Sequence, residues 1–214
     1  MKEEAVSIIG GADGPTSIFL AGKLPGKKPF KQRVRQCMYQ FRRRRAEKRI
    51  CAAPHTLREV AAYAKRSCHA VEMPKTKRAY IEQYACAKEA LILQHKPELL
   101  GSAAQITRPD VLNGESAAKF YRQIQKRSEM AAKIPDSEMP MEFHIYEIHI
   151  KGGRMELELD FRWEIFGISY SGNKKSMKQL KKMARELYLY YGVSREDMKN
   201  KTKRYASLLA ALSS

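Results

Sequence analysis

Between residues 56 and 131 apolar side chains recur every three or four positions, and beyond residue 140 they recur every second position. A period near 3.6 marks a helix with one buried face, and a period of 2 marks a strand with one buried face. Leu57, Val60, Ala61, Ala64, Cys68 and Val71 form the first helical stripe, opened by a Thr56–Glu59 capping-box pair and ended by Pro74. A second helix is predicted from about Lys77 to His95, burying Ile81, Tyr84, Ala85, Leu91 and Ile92. A third carries Ala117, Phe120, Ile124 and Ala131, and Pro135 and Pro140 then bracket a linker. Stripes at this spacing build cores, so they are assigned no chemistry.

Beyond the linker, Met155, Leu157, Leu159, Phe161 and Trp163 alternate with Arg154, Glu156, Glu158, Asp160 and Arg162, the clearest strand pattern in the chain. Gly152-Gly153 predicts a two-residue turn from a preceding strand, with Ile150 opposite Met155, Ile148 opposite Leu157 and Tyr146 opposite Leu159. The other face then holds His149 with Glu147, Glu156, Glu158 and Asp160, a wet acidic surface. A third strand runs through Ile165, Phe166, Ile168 and Tyr170 and ends near Gly172. Two helices follow. The first turns Met177, Leu180, Ala184, Leu187 and Tyr191 to the sheet, and Lys174, Lys175, Lys178, Lys181, Lys182 and Arg185 outward. Gly192 ends it, and Ser194 with Asp197 caps the last helix, which buries Met198, Tyr205, Leu208 and Leu212.

The prediction is therefore an α+β fold, with a helical N-terminal region followed by a small three-stranded antiparallel sheet covered by two C-terminal helices. Its expected organisation is a Gly-rich motif and basic arm over 1–50, a helical region over 51–138, and the sheet with its two helices over 139–214. The first segment, Val6 to Ala21, reads as two short apolar runs around a Gly-rich turn, either a hairpin or a strand leading into a loop.

Charge changes this picture. The 214 residues hold 41 Lys and Arg against 23 Asp and Glu, a formal net charge of +18. Such an excess draws in polyanions: nucleic acid, anionic lipid or acidic protein. It is densest from Lys23 to Arg49, where 12 residues are Lys or Arg and Glu47 is the only acid. Val34, Cys37, Met38 and Phe41 fall on one face of a helix there, and Arg42, Arg43, Arg44 and Arg45 spread around its axis. That pattern reads as an arm lying along phosphates, with Lys27, Lys28, Lys31, Arg33, Arg35, Arg42, Arg43, Arg44, Arg45, Lys48 and Arg49 as contacts. Lys174, Lys178, Lys181 and Lys182 on the later helix extend the candidate surface.

Other chemistry is sparse. Cys37, Cys51, Cys68 and Cys86 contain no CxxC pair, so buried reduced thiols are expected and no metal site. His144 and His149 fall on opposite strand faces. P-loop, GxGxxG, GxSxG and metalloprotease-helix motifs are absent, and no catalytic constellation is complete, so no cofactor is expected. No secretory signal and no stretch of about 20 apolar residues is legible, which places the chain in the cytoplasm as an expectation.

One string stands apart. SIIGGADGPTSIFLA, from Ser7 to Ala21, resembles a signature of the β subunit of sodium-translocating decarboxylases, the family of the oxaloacetate, methylmalonyl-CoA and glutaconyl-CoA pumps. In that family a GGADGPT-type segment breaks a membrane helix, and its aspartate takes part in sodium binding. The resemblance implies an ion-binding role for Gly10, Gly11, Asp13, Gly14 and Thr16, with Asp13 as the ligand. A carboxylate beside open backbone carbonyls and a hydroxyl supplies the oxygen donors that a small hard cation prefers.

Three functions are thus in view. The leading expectation is a non-enzymatic, basic accessory or binding protein that meets a polyanion, nucleic acid first. The alternatives are a soluble relative or partner of the decarboxylase β subunit and its complex, and a protein-interaction module built on the final sheet.

Overall fold

The computed structural model describes residues 4–10, 30–107, 109 and 114–213, with residues 4–10, 30–33 and 35 described by their backbone alone. Along the chain the elements are β1 (Glu4–Gly10), α1 (Phe30–Glu47), α2 (Leu57–Cys68), β2 (Val71–Glu72), α3 (Arg78–His95), a 3-10 segment (Pro97–Ala104), α4 (Gly114–Lys133), β3 (Phe143–Ile150), β4 (Gly153–Asp160), β5 (Ile165–Gly172), α5 (Lys174–Tyr191), α6 (Arg195–Asn200) and α7 (Lys203–Ser213). The chain divides into two compact units, one of Met1–Glu72 with His144–Ser214 and one of Met73–Phe143.

The first unit is built on a single sheet with strand order β1-β5-β4-β3-β2. The α+β class is as expected, but the sheet has five strands rather than three. The first apolar run is an edge strand: β1 pairs antiparallel with β5, from Glu4 opposite Gly172 to Gly10 opposite Phe166. At the other edge β2 pairs only Val71 and Glu72 with Glu147 and Tyr146. Val71 therefore belongs to a strand and is exposed, because α2 stops at Cys68 and His69 turns left-handed at φ 53°.

The core lies on one sheet face. Met155, Leu157 and Leu159 on β4 oppose Tyr170, Ile168 and Phe166 on β5, and all six are buried together with Tyr146 and Ile148 of β3. Leu180, Ala184, Leu187 and Tyr191 of α5, Leu208 and Leu209 of α7, and Leu57, Val60, Ala61 and Ala64 of α2 complete the cluster. The Thr56–Glu59 capping box that opens α2 is formed, with the Thr56 amide donating to Glu59 Oε2 at 2.7 Å.

Two turns differ from expectation, each for a local reason. The β3–β4 turn falls at Lys151–Gly152, one residue early, because Gly152 takes φ +80° and a Cβ there would collide with Asn173. Gly152 O also accepts from the Asn173 amide at 2.9 Å and from Ser176 Oγ at 2.7 Å, which ties the start of α5 to the sheet. β4 ends at Asp160, so Phe161 and Trp163 lie in a turn rather than in the strand. Asp160 is fully buried instead of wet, and its Oδ1 accepts the amides of Arg162 and Trp163 at 2.9 Å each. That carboxylate satisfies turn donors that the ladder no longer serves.

The expected last helix is two. Ser194 and Asp197 cap α6 as predicted, but Lys201 turns at φ 52° and α7 starts at Lys203, with Thr202 Oγ1 donating to Asp197 Oδ1 at 2.6 Å. In the second unit, α3 buries Tyr80 rather than Ile81, which is 55% exposed, and Ala85 is exposed too. The helix is apolar on several sides, and the Tyr80 hydroxyl, donating to Phe143 O at 2.8 Å, settles which side turns in. Lys88 is also buried and donates to Ile134 O and Asp136 Oδ1 at 2.6 Å each, holding the Asp136 carboxyl below its usual range. All four cysteines are among the described residues and form no disulfide, but Cys37, Cys51 and Cys86 are exposed and Cys68 half-buried, not the buried set expected. Among the described residues no helix is long and apolar enough to cross a membrane.

Leu157 is wholly buried at the centre of this cluster. Leu157→Ala is expected to cost about 2–5 kcal/mol in urea unfolding, the range for a core leucine that leaves a cavity. A loss below about 1 kcal/mol would mean that the sheet face is not the core.

Candidate polyanion-binding face

Among the described residues, α1 carries most of the basic arm and α5 the later lysines, and both pack on α7. In α1 the cations crowd toward the C-terminal end, where Arg44 and Arg45 meet the negative end of the helix dipole. The helix is fixed to the body at its C-terminal end and just beyond it. Ala46 and Ile50 are buried, and Glu47 Oε1 accepts from the buried Tyr205 hydroxyl of α7 at 2.9 Å, with Lys201 Nζ 3.6 Å away. The one acid of the arm is thus spent on anchorage. Arg42, Arg43, Arg44, Arg45, Lys48 and Arg49 are left exposed.

On α5 the Asn173 side chain accepts from the amides of Lys175 and Ser176 at 3.0 Å each, so the helix begins where the sheet dictates. Its inward stripe then forces Lys174, Lys178 and Lys182 outward, where they are exposed. Lys182 lies 3.7 Å from Glu186, while Arg185 Nε donates to Ala211 O of α7 at 3.3 Å.

Lys181 joins the two helices electrostatically. Its ammonium is held below the usual lysine value, first by partial burial, then by Arg185 and by Arg42 of α1. Both lower the affinity for a proton because like charges sit close in a poorly solvated place. Arm and helix, remote in sequence, thus both pack on α7 and place cations near one another. On the α1 side, Phe41, Arg44, Arg45, Glu47 and Lys48 line an open groove of about 550 Å³.

The other expected site residues fall as follows. Lys27, Lys28, Gly11, Asp13, Gly14 and Thr16 lie outside the described residues. Lys31, Arg33 and Arg35 are on α1, with their side chains outside the described set, and Gly10 is the last residue of β1. Val34, Cys37, Met38 and Phe41 do share a helix face, and all four are exposed. Arg185, expected to face outward with the lysines of its helix but not named as a phosphate contact, is half-buried and bonded to α7.

The outer sheet face offers less. Burial, and then Glu156, push the Glu158 carboxyl up, and Glu147 and Glu156 are half-buried. His144 Nδ1 lies 2.6 Å from Glu72 Oε1 and its ring packs against Phe161, while His149 is exposed. Among the described residues no cluster of three His, Cys, Asp or Glu could hold a metal ion. No protein-family model, curated protein or solved structure matches the chain.

The crowding at Lys181 has a definite sign. Because the folded chain disfavours this ammonium, the penalty is present at neutral pH and fades only as pH rises through the folded lysine value toward the usual one. Added salt screens the same repulsion. The melting temperature should therefore rise from low to moderate salt at neutral pH, and Lys181→Met should raise it at low salt and shrink the salt effect. A Lys181→Met variant with the parental salt response would show that the two helices do not share a field.

Proposed function

We propose that this chain is a non-enzymatic binding protein that grips nucleic acid through the joined cationic surface of α1 and α5. What supports the reading is geometric: α1 and α5 both pack on α7, and they expose Arg42, Arg43, Arg44 and Arg45 on one and Lys174, Lys178 and Lys182 on the other, with Arg185 and Arg42 near enough to Lys181 to disfavour its ammonium. Charge gathered against its own repulsion is relieved when phosphates arrive. The arginines suit that role, because a guanidinium presents a planar fork of donors to phosphate oxygens. Among the described residues, Glu47, the one acid of α1, is already engaged by Tyr205 and Lys201.

The decarboxylase reading rests on Ser7 to Ala21. In that family the motif breaks a membrane helix, whereas Ser7 to Gly10 here is part of a sheet strand, hydrogen-bonded to β5. That difference favours the binding role over ion transfer.

Binding driven by counterion release weakens steeply with salt. With about five phosphates neutralised, duplex affinity should fall roughly 10²- to 10³-fold between about 50 and 200 mM salt. Replacing Arg42, Arg43, Arg44 and Arg45 together by Gln should flatten the log–log slope by about 0.9 for each arginine that touches a phosphate. Fluorescence anisotropy across a salt series checks both. A flat salt response, or an unchanged slope in the fourfold variant, would remove the proposal.

A further inference from the structure

We infer that the ligand of this surface is single-stranded, with a base stacked on Phe41 and the neighbouring phosphates held by Arg44, Arg45 and Lys48. The inference rests on the nucleic-acid reading above and narrows it. Arg44 and Arg45 follow Phe41 by three and four positions, so helical periodicity sets them beside it on α1, and Lys48 follows directly after the helix with its amide bonded to Arg44 O at 3.3 Å. They line the same open groove. Glu47, also among the described lining residues, points its carboxylate to Tyr205 and Lys201.

Phe41 is 63% exposed, the most open of the large apolar side chains described on α1. A ring so placed adds little to the core. An aromatic face set among cations is what unpaired strands use, because every base has a π face and the phosphates follow alongside. A duplex hides its base faces in its own stack and can use only the cations. An anionic bilayer instead needs an apolar stripe that runs along the helix. Val34 and Met38 extend the stripe toward the N-terminus, but beyond Phe41 the groove is cationic at Arg44, Arg45 and Lys48.

The test uses the full chain at low salt against oligothymidylate, a DNA hairpin of equal phosphate number, and phosphatidylserine-containing vesicles. Phe41→Ala and Phe41→Leu are compared with the parent, and circular dichroism with melting temperature confirms that both fold. Each variant is expected to bind oligothymidylate roughly tenfold more weakly and the hairpin within about twofold of the parent. Leucine keeps the apolar bulk and loses the π face, so it should fail for bases and serve for lipid. Equal loss on strand and hairpin, no loss on either, or vesicle binding that survives Phe41→Leu but not Phe41→Ala would each overturn the inference. Those results leave the nucleic-acid reading standing whenever the parent still binds both nucleic acids with a steep salt dependence. Failure of the parent to bind any nucleic acid removes both.

Discussion

Two cationic helices can lie near one another only if something outweighs their repulsion, and in this chain that something is α7. Beyond Arg204 the helix carries no charged residue, and Tyr205, Leu208, Leu209 and Ala211 are buried. It packs against α1, α5 and β1. Buried apolar surface contributes roughly 25 cal/mol per Å², so a few such side chains outweigh a screened surface repulsion of about a kcal/mol. Polar contacts then fix the geometry: Tyr205 holds Glu47 of α1, Ala211 O accepts from Arg185 of α5, and Arg204 donates to Gly192 O, His55 O and Tyr191 O at 2.9, 2.7 and 2.5 Å. The candidate surface is thus a consequence of the core beneath it.

Much of this fold was legible. The alternation around Leu157 and the stripe from Leu180 to Tyr191 described core faces because burial demands periodicity, and the caps at Thr56 and Ser194 were readable because unpaired amides demand acceptors. What escaped was non-local or singular. β1 pairs with a strand at the far end of the chain, β2 is too short to show a period, and Lys201 breaks a helix that its neighbours would have continued. Asp160 read as a surface acid because alternation cannot reveal that its carboxylate is needed inside a turn.

For the candidate surface, composition told which residues were cationic and helical spacing told which way they pointed. It could not tell that Arg42 and Lys181 share a field, since that depends on how α7 seats both helices. Nor could it tell that Phe41 and its apolar neighbours on α1 face water; a stripe of that spacing ordinarily turns inward. The second unit, with Tyr80, Lys88 and Phe143 at its own interior, contributes none of the residues named for phosphate contact.

The central claim is that α1 and α5 act on phosphate as one surface. Lysine acetylation read by mass spectrometry, with and without saturating oligonucleotide, addresses it directly. The account predicts that Lys48 of the arm and Lys178 and Lys181 of α5 are protected together, while Lys75, Lys119 and Lys126 of the second unit keep their reactivity. Protection confined to one helix, or spread evenly over all lysines, would contradict it.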